Sequence, residues 1–203
     1  MKYLLRIICI LFFLFLLKDC MGLFYLRMTH LSNDDLKWIK DADLNAVFIS
    51  DSGKIARSKA RARYINNKTN PFFISSSGTY EFEANAGYEY VIDYEGTEMP
   101  GHFVIFKSLD HDSLDFSAGL NKFFLCLDKY STRQPLTSQS IQLNGIVFQN
   151  CICCDTSNCA YRDWAKSDTT INRIDKFIIN KKLGLIYFRF ENGEEFFRKL
   201  KSK

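Results

Sequence analysis

Apolar and polar positions alternate along much of this chain. In Thr79-Tyr80-Glu81-Phe82-Glu83-Ala84, Tyr80, Phe82 and Ala84 face one way and the two glutamates the other. Asn85-Ala86-Gly87 reads as a turn, and Tyr88, Tyr90, Ile92 and Tyr94 then line one face of a following strand. A period of two with one apolar side is what a sheet with one wet face requires. Residues 102–107 and 122–128 are apolar on both faces, the pattern of central strands. The acidic run Leu109-Asp110-His111-Asp112-Ser113-Leu114-Asp115 between them reads as a loop. Ala46-Val47-Phe48-Ile49-Ser50 is a further strand, ended by the turn residues Asp51-Ser52-Gly53-Lys54.

Turn chemistry fixes two registers. Asn144-Gly145 suits a two-residue turn with positive φ at both places, which sets Leu143 opposite Ile146 and Ile141 opposite Phe148. The last third holds strands near residues 174–179, 185–190 and 194–200. Between the last two, a two-residue turn would set Glu191 against Glu194, a like-charge pair that costs stability. A three-residue turn with Gly193 in the left-handed region sets Phe188 opposite Phe196 and Arg189 opposite Glu195, and is the expected form.

One stretch predicts a short helix, Leu31-Ser32-Asn33-Asp34-Asp35-Leu36-Lys37-Trp38-Ile39. Ser32 is placed to accept from the amide of Asp35, and Asp34 and Asp35 suit the positive end of the helix dipole. Leu31 and Leu36 hold the staple positions on either side of the cap. The expected fold is mainly β: an antiparallel sandwich or curled sheet of roughly eight to eleven strands with one N-terminal helix.

Arg57, Lys59, Arg61 and Arg63 alternate with Ser58, Ala60, Ala62 and Tyr64. Read with a period of two, this is a strand with one basic face; read as a helix, the cations scatter. A basic face could dock phosphate-bearing lipid, lipopolysaccharide or an acidic partner. A solvated face paired with Glu81, Glu83 and Glu89 is the commoner outcome for surface charge.

The start of the chain follows a different rule. Met1-Lys2-Tyr3-Leu4-Leu5-Arg6 is short and basic, and Ile7-Ile8-Cys9-Ile10-Leu11-Phe12-Phe13-Leu14-Phe15-Leu16-Leu17 is unbroken apolar sequence. A spanning helix needs about 20 apolar residues, so this run fits the core of an export signal better. Leu17-Lys18-Asp19-Cys20 has the outline of a lipoprotein signal, with Lys18 and Asp19 where small residues usually stand. Acylation of Cys20 would hold the protein on membrane lipid. The alternative is an uncleaved anchor running on to Leu26, in which Lys18 and Asp19 must sit at the interface. Residues 1–20 are thus a signal or anchor, and residues 21–203 one exported β-rich domain in the cell envelope.

Export changes the meaning of the cysteines. Cys151, Cys153, Cys154 and Cys159 cluster within nine residues, and in an exported chain such clusters usually pair, so up to two disulfides are expected. Zinc is a distant second, because its sites draw two pairs of ligands from separate turns. A redox role is third. Cys126, in an apolar run, reads as a buried thiol. Without residues 1–19 the formal charge falls from +4 to +2, with 24 basic and 22 acidic residues, which gives a nucleic-acid partner no electrostatic support.

The capped start at Leu31 to Ile39, the strand-turn-strand after it, and the ending Gly184-Leu185-Ile186-Tyr187-Phe188-x-Phe190-x-Asn192-Gly193 resemble small envelope lipoproteins of Bacteroidetes. The resemblance implies a lipid-anchored envelope protein and carries no activity across. In that setting Asp112-Ser113-Leu114 and Asp168-Thr169-Thr170 are similar to the acceptor pattern for O-glycosylation of exported proteins.

No nucleophile elbow, zinc-protease motif or phosphate-cradling glycine loop is present. Asp110, Asp112 and Asp115 near His111 lack the glycine and glutamate of a calcium loop. No cofactor is implied. The expected function is a tethered, non-enzymatic binding module for a protein or envelope glycan. An immunity-type protein that blocks a toxin at the membrane is the alternative, and a hydrolase built around His102 or His111 is the third reading.

Overall fold

The computed structural model describes residues 27–68, 81–109, 114–125, 138–157, 159–161 and 173–200, together with residues 6, 7, 10, 12 and 13. Its framework is a single curled antiparallel sheet. Two short strands stand apart: β1 (Arg27–Met28) pairs in parallel with β4 (Glu81–Phe82). The first wing of the large sheet contains β2 (Ala46–Ser50), β3 (Ile55–Asn66), β5 (Asn85–Tyr94), β6 (Thr97–Lys107), β7 (Leu114–Leu120) and β8 (Phe123–Leu125). The second contains β9 (Gln139–Leu143), β10 (Ile146–Asp155), β12 (Ile174–Asn180), β13 (Gly184–Phe190) and β14 (Glu195–Arg198). β14 pairs with β2 and joins the wings, while β11 (Cys159–Tyr161) returns to pair with β8. The order is β11-β8-β7-β6-β5-β3-β2-β14-β13-β12-β10-β9, so the sheet does not close into a barrel.

Aromatic rings on the inner face show the curl. Tyr94 of β5 meets Phe196 of β14 edge-on at 5.0 Å, across two intervening strands. Phe123 of β8 reaches Phe177 of β12 at 6.2 Å, although the two strands lie on different wings. Helix α1 (Asn33–Lys40) adds Trp38, whose ring packs against Phe103 at 5.6 Å and Phe116 at 5.1 Å. Burial of each such side chain contributes about 1.5–3 kcal/mol, so this shared core is the main force holding the wings together.

The local expectations for α1 and two turns hold. The Ser32 hydroxyl accepts from the Asp35 amide at 3.1 Å, and the Asp35 carboxylate accepts from the Ser32 amide at 2.8 Å. Leu31 and Leu36 are buried beside this cap. Leu143 lies opposite Ile146 and Ile141 opposite Phe148, with positive φ at Asn144 and Gly145. Phe188 lies opposite Phe196 and Arg189 opposite Glu195; the Phe188 and Phe196 rings stack at 4.7 Å.

Four expectations change. Asn85-Ala86-Gly87 does not turn: all three belong to β5, paired with Phe106, Ile105 and Val104. Gly87 is there for close approach, since a Cβ on it would meet the Tyr64 hydroxyl at 2.8 Å. The acidic loop ends early, because Leu114 and Asp115 open β7, and β8 lies one strand from the edge rather than at the centre. The strand count is also higher than expected, fourteen among the described residues. Two of the added strands, β1 and β11, are only two and three residues long.

Candidate functional site

The basic strand comes first, because its geometry decides whether four cations can act together. β3 is a strand, as one of the two sequence readings requires, and Ala56 and Ser58 are buried, so Arg57 and Lys59 point outward. Asp93 lies opposite Arg57. The pairing with β5 then slips between Ala60 and Ala62, which leaves Arg61 in a bulge where its guanidinium donates to Glu98 at 2.6 Å. An extra residue exchanges the two faces of a strand. Arg63 consequently lies opposite the inward-facing Tyr88 and donates to the carbonyls of Lys40 at 3.0 Å and Ala42 at 2.7 Å. A cation on the last carbonyls of a helix is favoured by the helix dipole. The four cations therefore do not form one face: two point outward, one fills a bulge and one caps α1.

Arg198 holds the other side of the segment that follows α1. Its side chain is 6% exposed and its guanidinium donates to the Asp43 carboxylate at 2.7 Å and the Asp43 carbonyl at 2.8 Å. It also donates to the carbonyls of Leu183 and Leu185. Burial draws the Arg198 pKa down, against the opposing pull of Asp43. With that many acceptors, Arg198 is a clamp that ties β14 to the β12–β13 turn and to the entry of β2.

Beside this clamp the molecule opens. A cleft of about 690 Å³ is lined by Asp43, Asn45, Val47, Leu183, Lys199 and Leu200, with Arg198 at its base. It adjoins a smaller groove of about 180 Å³, lined by Leu143, Ile146, Phe148, Ile186, Phe197 and Leu200. The groove lies on the outer face of the second wing, where a second apolar cluster gathers Cys151, Ile178, Ile186 and Tyr187. Ile146 in its wall is 46% exposed, while Val147, 60% exposed, alternates to the opposite face beside Asp34, Lys37 and Asp41. Lys199, which lines the cleft, is exposed. Among the described residues β9 pairs only with β10, so it forms one edge of the sheet.

The cysteine cluster is built differently from the expected loop. Cys151, Cys153 and Cys154 lie on β10, and Cys159 opens β11; all four are free thiols. Strand alternation sends Cys151 and Cys153 to the outer face and Cys154 to the main core. Asn180 donates to the Cys151 sulfur at 3.4 Å. Cys154 is in hydrogen-bonding contact with Cys159; burial, then that neighbour, raises its pKa well above the usual thiol range. Zinc ligation by all four would need both faces of one strand to reach one point. Among the described residues no group of three His, Cys, Asp or Glu could hold a metal ion.

The remaining candidates are dispersed. His102 sits on β6 opposite Glu89 and Gly119, and His30 is exposed. Cys20, Cys126, His111, Asp110 and Asp112 lie outside the described residues. One cluster has no sequence signal: Lys54 donates to the Tyr94 hydroxyl at 2.9 Å, and Tyr94 donates to Glu194 at 3.1 Å. Burial raises the Tyr94 pKa despite Lys54, the wrong direction for an activated phenol. The cluster joins the β2–β3 and β13–β14 turns to β5. No family model, curated protein or solved structure matches this chain.

Proposed function

We propose that this chain is a membrane-tethered module of the cell envelope that binds a protein partner through the outer face of its second wing. The observation that carries the reading is the apolar groove with Ile146 in its wall, which the fold leaves uncovered among the described residues. Exposed apolar surface of this kind marks interaction sites more often than ordinary surface does. The occupant is an extended protein segment with apolar side chains and acidic flanks. Edge strand β9 offers backbone pairing, the groove takes the side chains, and Lys199 in the adjoining cleft favours negative charge. The basic stripe of the sequence is too divided to serve instead.

The tether is the N-terminal segment, with Cys20 as the acylated residue once the leader is removed. In support, Arg6, Ile7, Ile10, Phe12 and Phe13 are helical, and the four apolar ones are exposed rather than packed into the core. No helix of the described residues is long and apolar enough to cross a membrane. Fractionation tests the tether. The mature protein should pellet with membranes and be released by detergent but not by high salt, while Cys20→Ala accumulates with its leader uncleaved. Intact chain, leader included, dissolved in the cytosol would overturn the reading. Capture on an Ile146→Asp surface tests the groove: the partner should be lost while the fold is kept.

A further inference from the structure

Alternation along β10 and the course of β11 single out one pair among the four clustered cysteines. Cys151 and Cys153 share the outer face, but residues two apart on a strand are about 6.6 Å apart, near the upper limit for a disulfide. Cys153 and Cys154 are adjacent and point to opposite faces. Cys154 and Cys159 are both buried in the main core. The chain between them is turned back by Asp155, whose carboxylate accepts from the Ser157 amide at 2.9 Å and hydroxyl at 2.6 Å. The turn delivers Cys159 to β8, opposite Leu125, with its thiol against that of Cys154.

We infer that Cys154 and Cys159 are a disulfide site, and that the bond sews the open sheet shut where backbone pairing stops. β11 is the terminal strand beyond the first wing, and β10 is the last strand but one of the second. Among the described residues no ladder joins β10 to β11, so the bond would fasten the two ends of the sheet directly. The oxidant is a disulfide of the glutathione class or a thiol–disulfide exchange protein. One cysteine thiolate displaces a thiolate from that disulfide to give a mixed disulfide, and the other cysteine thiolate attacks the protein sulfur of this mixed disulfide and displaces the oxidant's remaining thiolate. Two electrons and two protons leave with the reduced oxidant. Because both thiols end up buried, the exchange belongs to folding rather than to the finished fold. In the cell the bond rests on the export reading, since only an oxidising compartment would keep it; the chemistry itself can be tested apart from location.

The test uses the detergent-solubilised full chain, refolded with reduced and oxidised glutathione, blocked with a maleimide and cleaved on the amino side of Asp155. That cut separates Cys154 from Cys159. The expected result is two fragments joined until reductant is added, with maleimide on Cys151 and Cys153. Reduction of the folded protein should also lower its melting temperature by several degrees. Fragments that separate without reductant, or a link through Cys151 or Cys153, would overturn the inference. The same mapping on protein taken from the envelope separates a wrong pairing from a wrong compartment: a bond formed in vitro but absent in cells would count against export, not against the pair.

Discussion

On the first wing, the outward positions of β3, β5 and β6 hold Arg57, Lys59, Glu89, Asp93 and Glu98. On the second, the outward cluster is Cys151, Ile178, Ile186 and Tyr187, flanked by Ile141, Leu143, Phe148 and Phe197. Both wings present the same kind of inner face, a continuous aromatic and aliphatic core. Folding needs that inner face from each. It does not need the outer face of the second wing to be apolar, because the first wing manages with charges that water and neighbouring strands satisfy. The difference marks the second wing as the surface shaped by something other than the fold.

The comparison can be broken most strongly at the shared face. Phe188 stacks on Phe196 and meets Phe48 and Phe190 edge-on, so Phe188→Ala should cost about 4 kcal/mol, read as a fall in the denaturant midpoint. Arg198→Ala comes next, at about 3 kcal/mol, because it leaves buried carbonyls and the Asp43 carboxylate without their donor. On the outer faces the effects on stability should be small and the effects on binding opposite. Ile146→Asp and Lys59→Glu should each stay within about 0.5 kcal/mol of the parent in chemical denaturation. Only Ile146→Asp should abolish partner capture.

The smallest effect expected is at the β10–β11 turn. Burial acts to raise the Asp155 pKa, but hydrogen bonds from Ser157 and the charge of Lys176 outweigh it and hold the carboxyl below 3.8. A depressed folded pKa gives stability that is present above the unfolded value and lost as pH falls through the folded one. The stability difference between parent and Asp155→Ala should therefore shrink as the medium is acidified below pH 3.8. Denaturant midpoints measured across that range check it.

What was legible in the sequence was whatever a few neighbouring residues decide. Ser32 and Asp35 announce their cap, Asn144-Gly145 its hairpin, and Gly193 the turn that stacks Phe188 on Phe196. The Glu95-Gly96 turn passed unseen because a glutamate at positive φ gives no turn signal, although both residues adopt it. The bulge at Arg61 was also hidden. Its position is set by how β3 matches β5, and a perfect alternation of cations cannot reveal that the partner strand slips. For the same reason the outer apolar face looked like ordinary strand patterning. Only the sheet order shows that Ile186, Phe197 and Leu143 come together and that Cys154 meets Cys159 across the seam.

The most direct measurement of the central claim is site-specific photocrosslinking in intact envelopes, with the crosslinker placed at Ile146 on the second wing or at Lys59 on the first. A discrete protein adduct from Ile146, absent from Lys59, is the expected result. Equal adducts from both positions, or an adduct from Lys59 alone, would contradict it.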